Sequence, residues 1–253
     1  MRPERARELL AKSGAILEGH FVGTSGKHLS VYVAKDRGTR LTSVASELCR
    51  GLAEIFAKED IDAVVAPAKG GIALSQWTAY HLSQLRPDLP EVLALYSEQK
   101  EETVWIAEKT PVTIPLPSRD TANVSEDVVL EPGEKLVIKK NYFVLDRGFG
   151  ADVAVKRVLE IEDILSTGGS ARKTAVAIVA NRAHLVGLGV LANGGGVTPS
   201  ECGVGRLEAL MTVDRQIFNE QDCANHGLCA RGVPINIEFG HGKVFLERGG
   251  RTS

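Results

Sequence analysis

Hydrophobic and polar positions change period several times along this chain, and each change marks an element. Val44, Leu48, Leu52 and Ile55 recur at helical spacing, which predicts a helix over residues 42–58 with Thr42 as its N-cap. Largely apolar runs at residues 61–66 and 91–97 are too short for helices and read as strands, the first of them buried. Between them, residues 67–71 form a tight loop and residues 72–85 a helix. The same rhythm returns with a strand at 158–161, a helix at 171–181 and a strand at 184–192. Strands alternating with helices predict an α/β fold, a mostly parallel sheet flanked by helices and joined by right-handed crossovers. Residues 4–12 add a short helix, and alternation toward the end of residues 14–33 adds a β-hairpin.

Two stretches break the rhythm. Residues 107–141 hold Pro111, Pro115, Pro117, Pro132 and Gly133 between β-like runs such as Val112-Thr113-Ile114 and Lys135-Leu136-Val137-Ile138. A structureless loop of this length is unusual in a compact domain, so they read as a β-rich insertion, a flap or a surface for a partner subunit. After Gly194 the chain turns Gly-rich and irregular, as expected of a C-terminal extension. The expected division is therefore residues 1–40 as an N-terminal helix and hairpin, 41–200 as the core with its insertion, and 201–253 as the extension. No internal repeat is visible.

Composition narrows the class. At 253 residues, with 43% apolar and 25% charged residues, the chain suffices for one large globular domain with appendages. A formal charge of −2, with basic residues scattered rather than blocked, gives no reason to expect nucleic-acid binding. No apolar run approaches the roughly 20 residues of a membrane span, and the charged start does not read as a signal peptide, so the expected compartment is the cytoplasm. Four cysteines are too few for a disulfide framework and are expected to be reduced.

The candidate chemistry lies in residues 158–170, Val-Leu-Glu-Ile-Glu-Asp-Ile-Leu-Ser-Thr-Gly-Gly-Ser. Glu162 and Asp163 fall at the carboxyl end of a predicted strand, where open parallel sheets bind ligands. Adjacent carboxylates suit vicinal ribose hydroxyls and can hold Mg²⁺ directly or through water. Ser166, Thr167, Gly168, Gly169 and Ser170 then open a helix, whose N-terminus attracts phosphate. No Lys follows the glycines, so this is not a Walker loop. The loop Ala66-Pro67-Ala68-Lys69-Gly70-Gly71-Ile72, also between strand and helix, reads as a second anion cradle.

The run at 158–170 resembles the phosphoribosyl-diphosphate signature of type I phosphoribosyltransferases: apolar strand, two acids, two apolar residues, then Ser/Thr-Thr-Gly-x-Ser. Glu160 departs from it, being charged where that strand is usually apolar. The 66–72 loop is similar to the Gly-Pro-Ala-x-Gly-Gly-Ile form of orotate phosphoribosyltransferases. Residues 19–35, with Gly19-His20-Phe21-Val22, Thr24-Ser25-Gly26-Lys27-His28, Ser30, Tyr32-Val33 and Lys35, resemble the hood segment that covers the base in those enzymes. The Arg147-Gly148-Phe149 run also fits the family.

The resemblance implies a type I phosphoribosyltransferase-like fold and Mg²⁺-dependent transfer of 5-phosphoribose from phosphoribosyl diphosphate to a nucleobase nitrogen, with release of pyrophosphate. Glu162 and Asp163 would orient the ribose and offset its developing positive charge, with Asp163 also a Mg²⁺ ligand. Ser166 to Ser170 would hold the 5-phosphate, and Ser25 and Lys27 would contact the base. Ala68, Lys69, Gly70 and Gly71 would receive pyrophosphate. Lys100, in Ser97-Glu98-Gln99-Lys100-Glu101-Glu102, would close over it from a mobile loop. A homodimer is expected.

Gly194 stands where orotate enzymes usually carry an Arg for the substrate's carboxylate, so orotate is expected to bind weakly unless Arg147, Lys27 or Lys35 substitutes. A transferase for another base is the alternative within enzymes. A silent nucleotide-binding regulator on the same fold is the alternative outside them, and the basic face such a protein usually adds is not evident. Cys223-x-x-His226-x-x-Cys229, with Cys202 upstream, could form a four-ligand zinc site, although this is no familiar finger spacing. His241 between two glycines reads as structural.

Overall fold

Apolar spacing places α1 (Pro3–Lys12) at the start, followed by the hairpin β1 (Ile16–Val22) and β2 (His28–Val33), the short α2 (Lys35–Thr39) and α3 (Thr42–Ile55). The core units follow as β3 (Ala63–Pro67), α4 (Ile72–Leu85) and β4 (Leu93–Ala107). Next come β5 (Val112–Pro115), β6 (Asp127–Leu130), β7 (Lys135–Val144), α5 (Phe149–Val153), β8 (Arg157–Leu165), α6 (Gly169–Ala180) and β9 (His184–Asn193). The chain continues through α7 (Pro199–Cys202), β10 (Leu207–Thr212), β11 (Ile217–Phe218), α8 (Glu220–His226) and α9 (Gly242–Glu247). The structure, a computed structural model, describes residues 1–23, 25–107, 112–115, 127–130 and 135–250. Thr24 of the hood motif, the side chain of Lys35 and much of the expected 107–141 insertion lie outside the described residues.

Residues 1–98 and 143–253 form one compact unit, and residues 99–142 another. In the first, the central sheet has the order β10-β9-β8-β3-β4-β7, and β10 with β9, β9 with β8, β8 with β3 and β3 with β4 are all parallel. Apolar residues fill both faces. Leu48 and Leu52 of α3 and Leu74 and Leu82 of α4 pack with Leu159 and Ile161 of β8 on one side. Val158, one residue out of phase, joins Ala177 and Ile178 of α6 on the other, as strand alternation requires. A smaller antiparallel sheet, β1-β2-β11, makes the hood. In the second unit, β5 pairs antiparallel with β6.

The parallel α/β class is as expected, and α4 spans the predicted residues. Three local expectations are corrected. Leu41, not Thr42, is the N-cap of α3, and no side chain caps it, because the helix begins one residue earlier than the Thr suggested. The expected loop from Ser97 to Glu102 is strand, since the β-forming Thr103-Val104-Trp105-Ile106 carries β4 on through its charged middle. The region after residue 201 is not a mere wrapping extension: Leu207–Thr212 is the edge strand of the central sheet and Ile217–Phe218 an edge of the hood.

Glu160 sits mid-strand between Val65 of β3 and Leu188 of β9, fully buried, with neither carboxylate oxygen hydrogen-bonded among the described residues. Burial, reinforced by the neighbouring charge of Glu162, holds its carboxyl well above the usual value of 4.5, which favours its protonated form in the folded protein. A group whose folded pKa is raised gives its full stability below its unfolded pKa and loses it as pH climbs toward the folded value. The wild type should therefore lose up to about 1.4 kcal/mol per pH unit relative to Glu160→Gln, beginning just above the ordinary carboxylate range. Denaturant unfolding of both proteins from pH 4 to 8 tests this, and parallel stability curves would refute it.

Candidate active site

Three elements converge at the carboxyl edge of the central sheet. β8 carries Glu162 and Asp163 in register with β9, Glu162 opposite Val190, so both acids lie inside the last turns of the strand ladder rather than beyond it. The two residues are 6% and 3% exposed, which makes them buried acids and not a solvated pair. Local bonds fix them. Glu162 Oε1 accepts from the Asp163 N–H at 3.1 Å, and Asp163 Oδ1 accepts from the Ile164 N–H.

The chain then turns through Ser166, Thr167 and Gly168 into α6. Gly168 is the N-cap, with φ of 72° and no side-chain cap, so the first-turn N–H groups of a 12-residue helix are left for an external acceptor. The turn is also crowded: a Cβ at Gly168 would stand 2.9 Å from Cys202 Sγ and 3.0 Å from Val197 Cγ1. Farther along, α6 is tied to β4 by the buried Ser97–Thr174 hydroxyl pair at 2.8 Å.

A cavity of about 640 Å³ brings these groups under the hood. Its walls include Ser25 and Lys27 from the hairpin, Glu162 and Asp163, and the whole Ser166–Ser170 loop. The structure thus assembles the predicted ribose, phosphate and base groups in one place. His241, expected to be structural, lines the same cavity, and its backbone N–H anchors it to Val22 O at 2.7 Å.

Other predicted residues lie elsewhere. Ala68, Lys69, Gly70 and Gly71 are not among the lining residues, and the N–H groups of Ala68 and Gly71 already donate to Ser97 O and Pro67 O. The Ala68–Lys69 peptide is cis. Arg147, in the turn between β7 and α5, is exposed and paired with Glu98 at 3.2 Å, outside the cavity wall. Lys100 lies within β4, in the second unit, rather than on a loop. The expected metal quartet also fails to meet. Cys202 is buried beside Ala171 and Val197, whereas His226, at the C-terminal end of α8, is exposed and packs on Phe218.

One residue of the cavity wall was missed. Arg215 lines the cavity from the segment between β10 and β11, and burial pushes its guanidinium below its usual pKa. Its Nε has no hydrogen-bond partner among the described residues. The segment is pinned at both ends: Val213 N–H donates to Asn193 O of the central sheet, and Gln216 N–H donates to Ser30 Oγ of the hood. A Cβ built on Gly194 would lie 3.3 Å from an Arg215 guanidinium nitrogen. Arg215 therefore brings a guanidinium into the space beside Gly194. A lone arginine between two short strands carries no pattern that a sequence could flag.

No family model matches the chain. It is 26% identical over 229 residues to the orotate phosphoribosyltransferase of Thermotoga maritima, covering 90% of this chain and 94% of that enzyme. It is 27% identical over 237 residues to that of Desulforamulus reducens, covering 92% and 95%. Among solved structures, Aeropyrum pernix orotate phosphoribosyltransferase superposes with a TM-score of 0.51 at 22% identity, over 81% of this chain and 92% of that one. Mycobacterium tuberculosis H37Rv orotate phosphoribosyltransferase, in complex with Fe(III) dicitrate, gives 0.53 at 16% identity, over 83% and 96%.

Gly168→Ala should cost about 1–3 kcal/mol from its left-handed backbone alone and shift the phosphate-facing turn. Thermal unfolding with a phosphate titration checks it, and a variant of wild-type stability and phosphate affinity would contradict this account of the turn. The chain has the fold of type I phosphoribosyltransferases, and in sequence it is similar to orotate phosphoribosyltransferases.

Proposed function

We propose that this protein transfers 5-phosphoribose from phosphoribosyl diphosphate to orotate, releasing pyrophosphate. The observation that carries the reading is the single cavity in which a buried acid pair, an uncapped helix N-terminus and a pocket-facing arginine meet. Each supplies a different part of the reaction. Breaking the bond at the anomeric carbon builds positive charge on the ribose and negative charge on pyrophosphate, so the site must stabilise both. Glu162 and Asp163 hold the ribose hydroxyls and offset the positive charge. The Ser166–Ser170 turn takes the 5-phosphate through backbone N–H groups.

Two adjacent carboxylates beside a phosphate-binding turn fit Mg²⁺, which prefers hard oxygen ligands from one or two carboxylates and substrate phosphates. Asp163, directly or through water, and Glu162 would hold it, and bound there it would neutralise charge on the departing pyrophosphate. By motif position, Lys69, Gly70 and Gly71 receive that group. We read the active form as a cytoplasmic homodimer.

Orotate is favoured over a base lacking the carboxylate because Arg215 offers a partly desolvated guanidinium to the cavity. A planar fork of donors matches a carboxylate bidentately, while Lys27 and Ser25 face the same space from the hood. This reverses the expectation from Gly194 alone.

Asp163→Asn and Glu162→Gln should each lower kcat at least about tenfold with the fold intact, since each removes charge from the ribose site. Pyrophosphate release at saturating substrate measures it, and wild-type rates in both variants would sink the assignment. Arg215→Ala should lower kcat/KM for orotate by about 10- to 100-fold, the cost of one charge-assisted contact, and leave a carboxylate-free pyrimidine unaffected. An equal loss on both bases would show that Arg215 is structural.

A further inference from the structure

Away from the acids and the phosphate turn, four metal-capable side chains meet at the back of the hood: His20 of β1, His28 of β2, Cys223 of α8 and Cys229 just after it. Their ligand atoms all lie within 4.8 Å of one another, and all four residues are buried. The hairpin makes the first half of the cluster. Val22 pairs with His28, so His20, two residues earlier, is its diagonal neighbour on the same face. The second half comes from α8 and the turn that follows it.

We propose that this quartet is a structural zinc site that clasps the C-terminal segment to the hood. Two thiolates and two imidazoles are the donor set of tetrahedral structural zinc. With Zn–S of about 2.3 Å and Zn–N of about 2.0–2.1 Å, a tetrahedral site puts nitrogen and sulfur about 3.6 Å apart. The structure has Cys223 Sγ 3.7 Å and Cys229 Sγ 3.9 Å from His20 Nε2, and Cys229 Sγ 3.6 Å from His28 Nδ1. The two ring nitrogens, at 2.7 Å, would separate by roughly half an ångström to reach tetrahedral spacing.

The surroundings are those of ligands rather than of packed side chains. His20 gives its Nδ1 proton to Val233 O at 2.7 Å, which leaves Nε2 as a lone pair aimed into the cluster. If His28 Nδ1 answered it with a proton, His28 Nε2, buried and without a partner among the described residues, would be left as a second bare lone pair. With a cation at the centre, both inward nitrogens are acceptors for the metal and His28 keeps its proton on Nε2, where Phe245 meets the ring edge to face. The Cys229 N–H donates to Cys223 Sγ at 3.3 Å, the backbone support a thiolate needs.

The fold gives the site a task. Past β11, the described residues contribute only two small apolar clusters, one around Cys223, Leu228 and Cys229 and one joining Ile235 and Phe245 to Val22. So little apolar surface anchors a segment of this length weakly, and a metal staple is a usual remedy. The same segment delivers His241 to the cavity. This inference does not depend on which reaction the cavity performs.

The test is metal analysis of the full-length protein purified without chelator or affinity metal, followed by cobalt reconstitution of the stripped protein. About one zinc per chain and the intense visible bands of tetrahedral, thiolate-bound cobalt are expected. Chelation should lower the unfolding temperature and zinc should restore it. Cys223→Ser with Cys229→Ser should reduce bound zinc at least about tenfold, while Cys202→Ala and His226→Ala retain it. Zinc below about a tenth per chain after reconstitution with no cobalt spectrum, or zinc undiminished in the double variant, overturns the proposal. Should the double variant fail to fold, the wild-type stoichiometry and cobalt spectrum decide alone.

Discussion

β8 has to run through the middle of the sheet, hydrogen-bonded to β3 on one side and β9 on the other, and still deliver two carboxylates at its carboxyl end. The rest of the site follows from that requirement. Leu159 and Ile161 hold one face of the strand against α3 and α4, Val158 the other against α6, and the register to β9 sets where Glu162 and Asp163 emerge. The next residues must reverse direction at once to start α6 on the sheet's far face, which needs a left-handed residue in a space too small for a side chain. Gly168 meets both conditions. The result is that an acid pair and a set of unpaired helix N–H groups lie a few residues apart with opposite electrostatic character, as a sugar phosphate requires. Glu160 is the exception on this strand, a carboxyl whose pKa burial raises and whose oxygens have no hydrogen-bond partner among the described residues.

A sheet edge alone is only half of a cavity. The other half is the hood, and the hood is held by chain that arrives last. β11 pairs with β2, Gln216 bonds Ser30, Asn236 N–H donates to His20 O, and His241 N–H donates to Val22 O. These bonds run between segments some two hundred residues apart, so their loop-closure cost falls on contacts made late in the chain. Arg215 belongs to the same set. Its backbone is fixed to the central sheet through Val213 and to the hood through Gln216, so the guanidinium marks the junction of the two.

What could be read in the sequence was whatever rests on local period. The α4 boundaries, the β8-α6 unit and β9 are written in runs of apolar residues whose spacing has one interpretation, and the acids and glycines of the phosphate turn are contiguous. β10 was hidden because Leu207-Glu208-Ala209-Leu210-Met211 has strong helical propensity, and only the parallel pairing to β9 makes it a strand. β4 beyond Ser97 was hidden for the opposite reason: Glu98, Gln99, Lys100, Glu101 and Glu102 show no alternation, so a strand there resembles a solvated loop.

The two groupings that adjacency misled have a common cause. Cys223, His226 and Cys229 sit at equal intervals and invite a shared ligand, yet His226, the last residue of α8, is exposed and packs on Phe218 while both cysteines are buried. His20 and His28 look unrelated until β1 folds back on β2, when the antiparallel register makes them diagonal neighbours. Likewise Gly194 looks like a lost cation until the 213–216 segment crosses it. In each case sequence distance is a poor guide because a hairpin or a crossover, not the local spacing, decides which atoms meet. Chemistry that rests on one strand and its following turn survives translation from sequence to structure, whereas chemistry shared between β1, β2 and α8 exists only once the topology is closed.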